Sequence, residues 1–172
     1  MPAPRPTTAW VAETVAMTVK HWPKGHLYLE DLALGQRFES REHRVELDEV
    51  KEFAGRYDPQ FFHVDEEGAT DSLFGRLAAS GWHTAAMSMR LMVESVPFSE
   101  GLIGAGGEIS WPRATFPGDT LRLVSEVSDI SPSRSRPERG TVTLTCRTLN
   151  QHGEIVQVFS PRIVVWRRGA HL

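Results

Sequence analysis

The sequence predicts an α+β fold in which an antiparallel β-sheet wraps one long, apolar α-helix. Three observations predict it. A helical apolar pattern runs roughly from Gly81 to Ser95, four segments rich in Val, Ile, Thr and Leu follow it, and turn residues separate those segments. A helix that apolar must be covered, and the strands that come after it are the obvious cover.

The chain has 172 residues, with 19 Lys+Arg against 22 Asp+Glu and one Cys. That is one domain's worth, able to bury a full core. A single Cys makes no intramolecular disulfide, and Cys146 lies in a strand-like alternation, so it reads as a small buried hydrophobe. The net charge of −3 lacks the basic stripe that phosphate backbones require, which argues against nucleic acid. No stretch reaches the roughly 18–20 apolar residues of a membrane span, and Glu13 and Thr14 break the run a signal peptide would need. The expected setting is cytoplasmic and reducing.

In chain order, Pro2, Pro4 and Pro6 mark an exposed tail, and Ala9 to Lys20 is ambiguous. Residues 1–26 are therefore expected to be a partly disordered extension and 27–172 the functional domain. Gly35 turns the chain into Gln36 to Val45, an expected first strand. Val50, Phe53, Ala54 and Tyr57 follow helical spacing, so Asp48 to Tyr57 reads as a helix, with Asp48 and Glu49 at its positive end. Pro59 ends it, because it disfavours helical geometry at Asp58. Gln60 to Ala79 reads as a loop. In the next helix Ala78, Trp82, Ala85, Ala86, Met89, Met92, Val93 and Val96 recur at spacings of three and four. Arg90 and Glu94, four apart, share its exposed strip.

The strand candidates are Ile103 to Trp111, Thr120 to Ile130, Thr141 to Leu149 and Glu154 to Trp166. Their short connections predict hairpins. Val142, Leu144 and Cys146 alternate with polar residues, so one face of the sheet is buried.

The chemistry concentrates in Tyr57-Asp58-Pro59-Gln60-Phe61-Phe62-His63-Val64-Asp65. A carboxylate and an imidazole five residues apart, on an irregular turn between aromatics, can face one cleft and hold one water between them. The second element is Ser80-Gly81 at the start of the apolar helix. Its free N–H groups suit an oxygen that gains negative charge, and Gly81 has no Cβ to block approach. Together these parts suit addition or elimination of water next to a carbonyl.

The run YDPQFFHVDEEGATDSLFGRLAASGWHTAAM resembles the motif of the MaoC-like, or (R)-specific enoyl-CoA hydratase, family. Asp58, His63, Asp65, Ala69, Phe74 and Gly81 match it in order and spacing, and YLEDLALGQRF and WPRATFPGDTL resemble its flanks, so the similarity spans roughly Tyr28 to Trp166. The resemblance implies a single hot-dog fold, with Asp58 and His63 as a dyad that adds water across a trans-2-enoyl thioester or removes it from the 3-hydroxyacyl product. The Gly81 N–H would polarise the thioester carbonyl. Two positions depart from the pattern: Ser80 stands where many members have His, and Gln60 where Asn is common.

Ser80, Trp82, Phe62, His83 and Met89 are candidate substrate contacts around the dyad. His83 also reads as core or cleft lining, and Met89, with Met87 and Met92, as core. Asp65 reads as a loop cap, and Arg134, Arg136 and Arg139 as a solvated hairpin tip that could alternatively meet phosphates. The resemblance implies no metal and no cofactor beyond the coenzyme A of the substrate. A hot-dog thioesterase and a non-catalytic acyl-CoA-binding module are the alternative readings. One hot-dog unit supplies half of the usual extended sheet, so a C2 homodimer is expected.

Overall fold

The computed structural model describes residues 25–170. The ambiguous segment Ala9 to Lys20, and most of the expected extension, lie outside the described residues. Strands β1 (Arg37–Glu39) and β2 (His43–Arg44) come first, followed by helix α1 (Leu47–Tyr57), the one-turn helix α2 (Phe61–Val64) and helix α3 (Gly81–Ser95). Strands β3 (Ile103–Ser110), β4 (Thr120–Pro132), β5 (Arg139–Leu149) and β6 (Ile155–Trp166) complete the fold. The expected first strand is thus two short pieces, and both pair with β4. Where a featureless loop was expected, Gln60 to Ala79 contains α2 and a 3-10 turn at Gly68–Asp71.

The sheet runs in the order β1-β4-β5-β6-β3, and its pairings are antiparallel. The β4–β5 and β5–β6 connections are the expected hairpins, but β3 pairs with β6 rather than with β4. Residues 111–119 therefore cross from one side of the sheet to the other instead of turning tightly. The crossing is tied down on the way: Ala79 N–H donates to Thr115 O at 2.8 Å, Gly118 N–H to Val45 O at 2.8 Å and Val45 N–H to Asp119 O at 2.8 Å. It thereby lies beside the start of α3, where the candidate site is.

Helix α3 buries His83, Thr84, Met87, Ser88, Leu91 and Met92. Met87, Leu91 and Met92 share one core with Leu121, Leu123, Val127, Val142, Leu144, Cys146, Val156 and Ile163 of the sheet. Burying each such side chain contributes roughly 1.5–3 kcal/mol, so this contact is a substantial part of what holds helix and sheet together. The predicted alternation on β5 holds, with Val142, Leu144 and Cys146 all buried. Two hydroxyls trapped between helix and sheet, Ser88 Oγ and Thr148 Oγ1, satisfy each other at 2.7 Å.

On α1, Val50 and Ala54 are fully buried, whereas Tyr57 at the end of the predicted apolar stripe is 70% exposed and leans on Phe53. Arg90 and Glu94 pair on α3 at 3.0 Å, but the strip they share is not exposed at Glu94, whose side chain is 8% exposed because Arg41 also covers it, at 2.7 Å.

Candidate active site

Asp58 lies just past the last turn of α1, with its N–H still donating to Ala54 O at 2.9 Å. Pro59 prevents further helix, and the chain turns sharply into α2, where Gln60 O accepts the His63 N–H at 2.8 Å. That turn brings the two side chains together: His63 Nε2 is 3.4 Å from Asp58 Oδ2. His63 is buried, at 5% exposure.

The turn is fastened to the segment that leads into α3. Ala78 N–H donates to Phe62 O at 3.0 Å, and Ala78 O lies 2.7 Å from His63 Nδ1. A carbonyl only accepts, so Nδ1 carries the proton and donates. This fixes the tautomer and leaves Nε2 as the nitrogen facing Asp58.

Ser80 caps α3, its Oγ accepting the Trp82 N–H at 3.2 Å while the hydroxyl donates to Asp58 Oδ2 at 2.7 Å. Gln60 Nε2 donates to the other carboxylate oxygen, Oδ1, also at 2.7 Å. Partial burial pushes the Asp58 carboxyl up, but the Ser80 and Gln60 donors and the nearby His63 outweigh it and hold the group below the usual carboxylate range. Asp58 is therefore ionised at neutral pH.

Asp58, His63 and Gly81 all line one cavity of about 360 Å³, with Gln60, Phe62, Phe74, Trp82, Thr84, Trp111 and Arg113 among its walls. The Gly81 N–H, at the first position of α3, has no acceptor among the described residues. It is free to meet a ligand oxygen at the positive end of the helix. Glycine is needed there for a second reason that the sequence did not reveal: a Cβ on Gly81 would fall 3.0 Å from the Trp111 ring.

Of the sequence-derived candidates, Asp58, His63, Gly81, Trp82 and Phe62 meet in this cavity, and Ser80 stands behind it, fully buried against Asp58. His83 does not. It lines a separate cavity of about 280 Å³ between α1 and α3, where its ring stacks on Phe53 at 4.6 Å. There the Glu49 carboxylate sits between His43 Nε2 at 3.4 Å and His83 Nε2 at 3.6 Å. The His43 and His83 rings together lower the Glu49 carboxyl to about 2. Met89 lines neither cavity and is 42% exposed on the outer side of α3, whereas Met87 and Met92 are core.

Asp65 caps the following turn, accepting the Glu67 N–H at 3.1 Å. Among the described residues no group of three or more His, Cys, Asp or Glu is placed to hold a metal ion, and no helix is long and apolar enough to cross a membrane.

Trp111 and Arg113 are lining residues that sequence reasoning missed. Both lie on the crossing between β3 and β4, and only the non-hairpin route of that segment brings them to the site. Trp111 is fixed by its indole N–H, which donates at 2.9 Å to Oε1 of the buried Gln157 on β6.

Residues 31–148 match the MaoC like domain family. The chain belongs to this family. It is similar to a MaoC-like dehydratase from Rhodospirillum rubrum, whose crystal structure is 56% identical over 84% of this chain and 100% of that one, with a TM-score of 0.82. It is also 35% identical over 140 residues to the uncharacterized protein YdeM of Bacillus subtilis (strain 168), covering 80% of this chain and 96% of YdeM. The R-hydratase PhaJ1 from Pseudomonas aeruginosa shares the fold at 22% identity, with a TM-score of 0.70 over 87% of this chain and 93% of its own. For this MaoC-like chain the common architecture is the hot dog, as the sequence resemblance implied.

Proposed function

We propose that the protein is an acyl-thioester hydratase or dehydratase, interconverting a trans-2-enoyl thioester, most simply of coenzyme A, and the 3-hydroxyacyl thioester. The observation that carries this reading is the meeting, in one aromatic-walled cavity, of His63 Nε2, Asp58 Oδ2 and the helix N–H of Gly81, which has no acceptor among the described residues. Membership of the MaoC like family and the 56% identity to a MaoC-like dehydratase support it.

In the hydration direction a water held by Asp58 and His63 adds to C3 of the enoyl group. His63 Nε2 takes one proton from it as the new C–O bond forms. The electrons of the C2–C3 double bond move toward the thioester, and the carbonyl oxygen becomes an enolate oxygen facing the Gly81 N–H. The imidazolium, steadied by the Asp58 carboxylate, then returns the proton to C2 from the same face, and the carbonyl re-forms. Water is consumed and nothing else is needed. Dehydration runs the same steps backwards.

A C2 homodimer is part of the proposal. The outer side of α3 displays Trp82, Met89 and Val93, exposed by 61%, 42% and 39%, and β3 forms a sheet edge that faces solvent along its length. A second copy docked there would cover apolar surface that the described residues of one chain leave exposed. The proposed setting is cytoplasmic, with which the buried free thiol of Cys146 agrees.

The test is turnover of purified protein on a panel of short, medium-length, branched and aromatic enoyl-CoA thioesters. Formation of 3-hydroxyacyl-CoA supports the reading. Release of free thiol from saturated acyl-CoA, with no hydration, would replace it with a thioesterase.

A further inference from the structure

We propose that Ser80 and Gln60 form a two-sided clamp that holds Asp58 as a fixed hydrogen-bond acceptor, leaving His63 Nε2 as the atom that moves the proton. The proposal rests on the hydratase reading above. Its geometry is specific: Ser80 Oγ donates to Oδ2 at 2.7 Å and Gln60 Nε2 donates to Oδ1 at 2.7 Å, so each oxygen of the carboxylate has its own donor. Donors to an ionised carboxylate at this distance are of the strong, charge-assisted kind.

The direction of the Ser80 bond is forced. Its oxygen already accepts the Trp82 N–H, and an ionised carboxylate has no hydrogen to give, so the one hydroxyl hydrogen must point to Asp58. Ser80 is wholly buried, which keeps water from competing for that hydrogen. The same residue therefore fixes two parts of the site at once, the carboxylate 22 positions upstream and the first turn of α3 that presents the Gly81 N–H.

The consequence is a division of labour. A carboxylate with donors on both oxygens is a poor base, because both hydrogen bonds stabilise its charged form and are weakened when a proton neutralises it. The imidazole is in the opposite position: its Nδ1–H is committed to Ala78 O, and Nε2 remains available. Ser80 and Gln60 are also the two positions where the chain departs from the family pattern, and both changes converge on Asp58. They are positioning residues, acting on the reaction through Asp58.

The experiment follows the Asp58 Cγ resonance by carbon NMR across the acid range in the wild-type protein, Ser80→Ala and Gln60→Ala, alongside steady-state hydration of a short enoyl-CoA. The Asp58 midpoint is expected to move to higher pH in each variant and further in the double variant. In Ser80→Ala, kcat is expected to fall roughly tenfold with KM changed by less than about twofold, because the lost bond positions the reacting groups rather than the ligand. Gln60 is exposed, so its variant carries the test should Ser80→Ala fail to fold. Unmoved midpoints overturn the clamp, and so do moved midpoints with an unchanged kcat. A wild-type protein without hydratase turnover overturns the functional reading alone, and shifted midpoints in its variants would still support the clamp.

Discussion

The Trp111 indole is packed against Gly81 so closely that a Cβ at residue 81 would lie 3.0 Å from two of its ring carbons. The ring is restrained on its other side, because its N–H is tied to Gln157 on β6. Gly81→Ala is therefore expected to cost about 1–3 kcal/mol of stability through overpacking. It should also lower hydration by displacing the helix N–H from the carbonyl. Urea denaturation and turnover check the two effects separately, and an unchanged stability would mean that the indole moves freely.

The core under α3 gives a second prediction. Leu91 is 1% exposed and belongs to the cluster that joins the helix to the sheet. Leu91→Ala should destabilise by about 2–5 kcal/mol, the usual range for a large-to-small change at a site that cannot collapse. Thermal or chemical denaturation measures it.

This part of the fold could be read from the sequence because its signals are local. The apolar spacing of α3 and the alternation Val142, Leu144, Cys146 each report burial directly. The Asp58-to-His63 spacing was readable for the same reason, since one Pro-directed turn brings the two together. What could not be read is long-range. The pairing of β3 with β6 depends on how the sheet closes, and it alone carries Trp111 and Arg113 to the cavity. His83 has the right position for the site in sequence, but the helical turn points it to the far side of α3, toward Phe53 and Glu49. Met89, on the outer side of the same helix, follows the apolar period without being core.

Glu49 links stability to acid pH. Its carboxyl is lowered to about 2 by His43 and His83, so its contribution is fully present above the ordinary value of 4.5 and is lost as pH falls toward 2. The Glu49 side chain is 42% exposed, so solvent screens much of the attraction. Glu49→Gln is accordingly expected to cost only on the order of 1 kcal/mol at about pH 6 and to converge with the wild type near pH 2. Urea titrations at the two pH values test it. A difference that persists unchanged at the lower pH would contradict the ionic account.

The exposed stripe of α3 predicts the oligomeric state. Val93→Glu places a charge among Trp82 and Met89 on the face proposed to meet a second copy. It should convert a dimer to a monomer in light scattering behind size exclusion, with little loss of secondary structure. A wild type that is already monomeric at the concentrations where it turns over would contradict the dimer.

In the proposed reaction Asp58 and His63 act together on water beside the Gly81 N–H. The most direct measurement of this is hydration of an enoyl-CoA substrate by the wild type, Asp58→Asn and His63→Gln, with each variant checked for native circular dichroism. The wild type is expected to form a single 3-hydroxyacyl-CoA stereoisomer, and kcat is expected to fall roughly a hundredfold or more in each variant. Folded variants that hydrate as fast as the wild type would contradict this joint action.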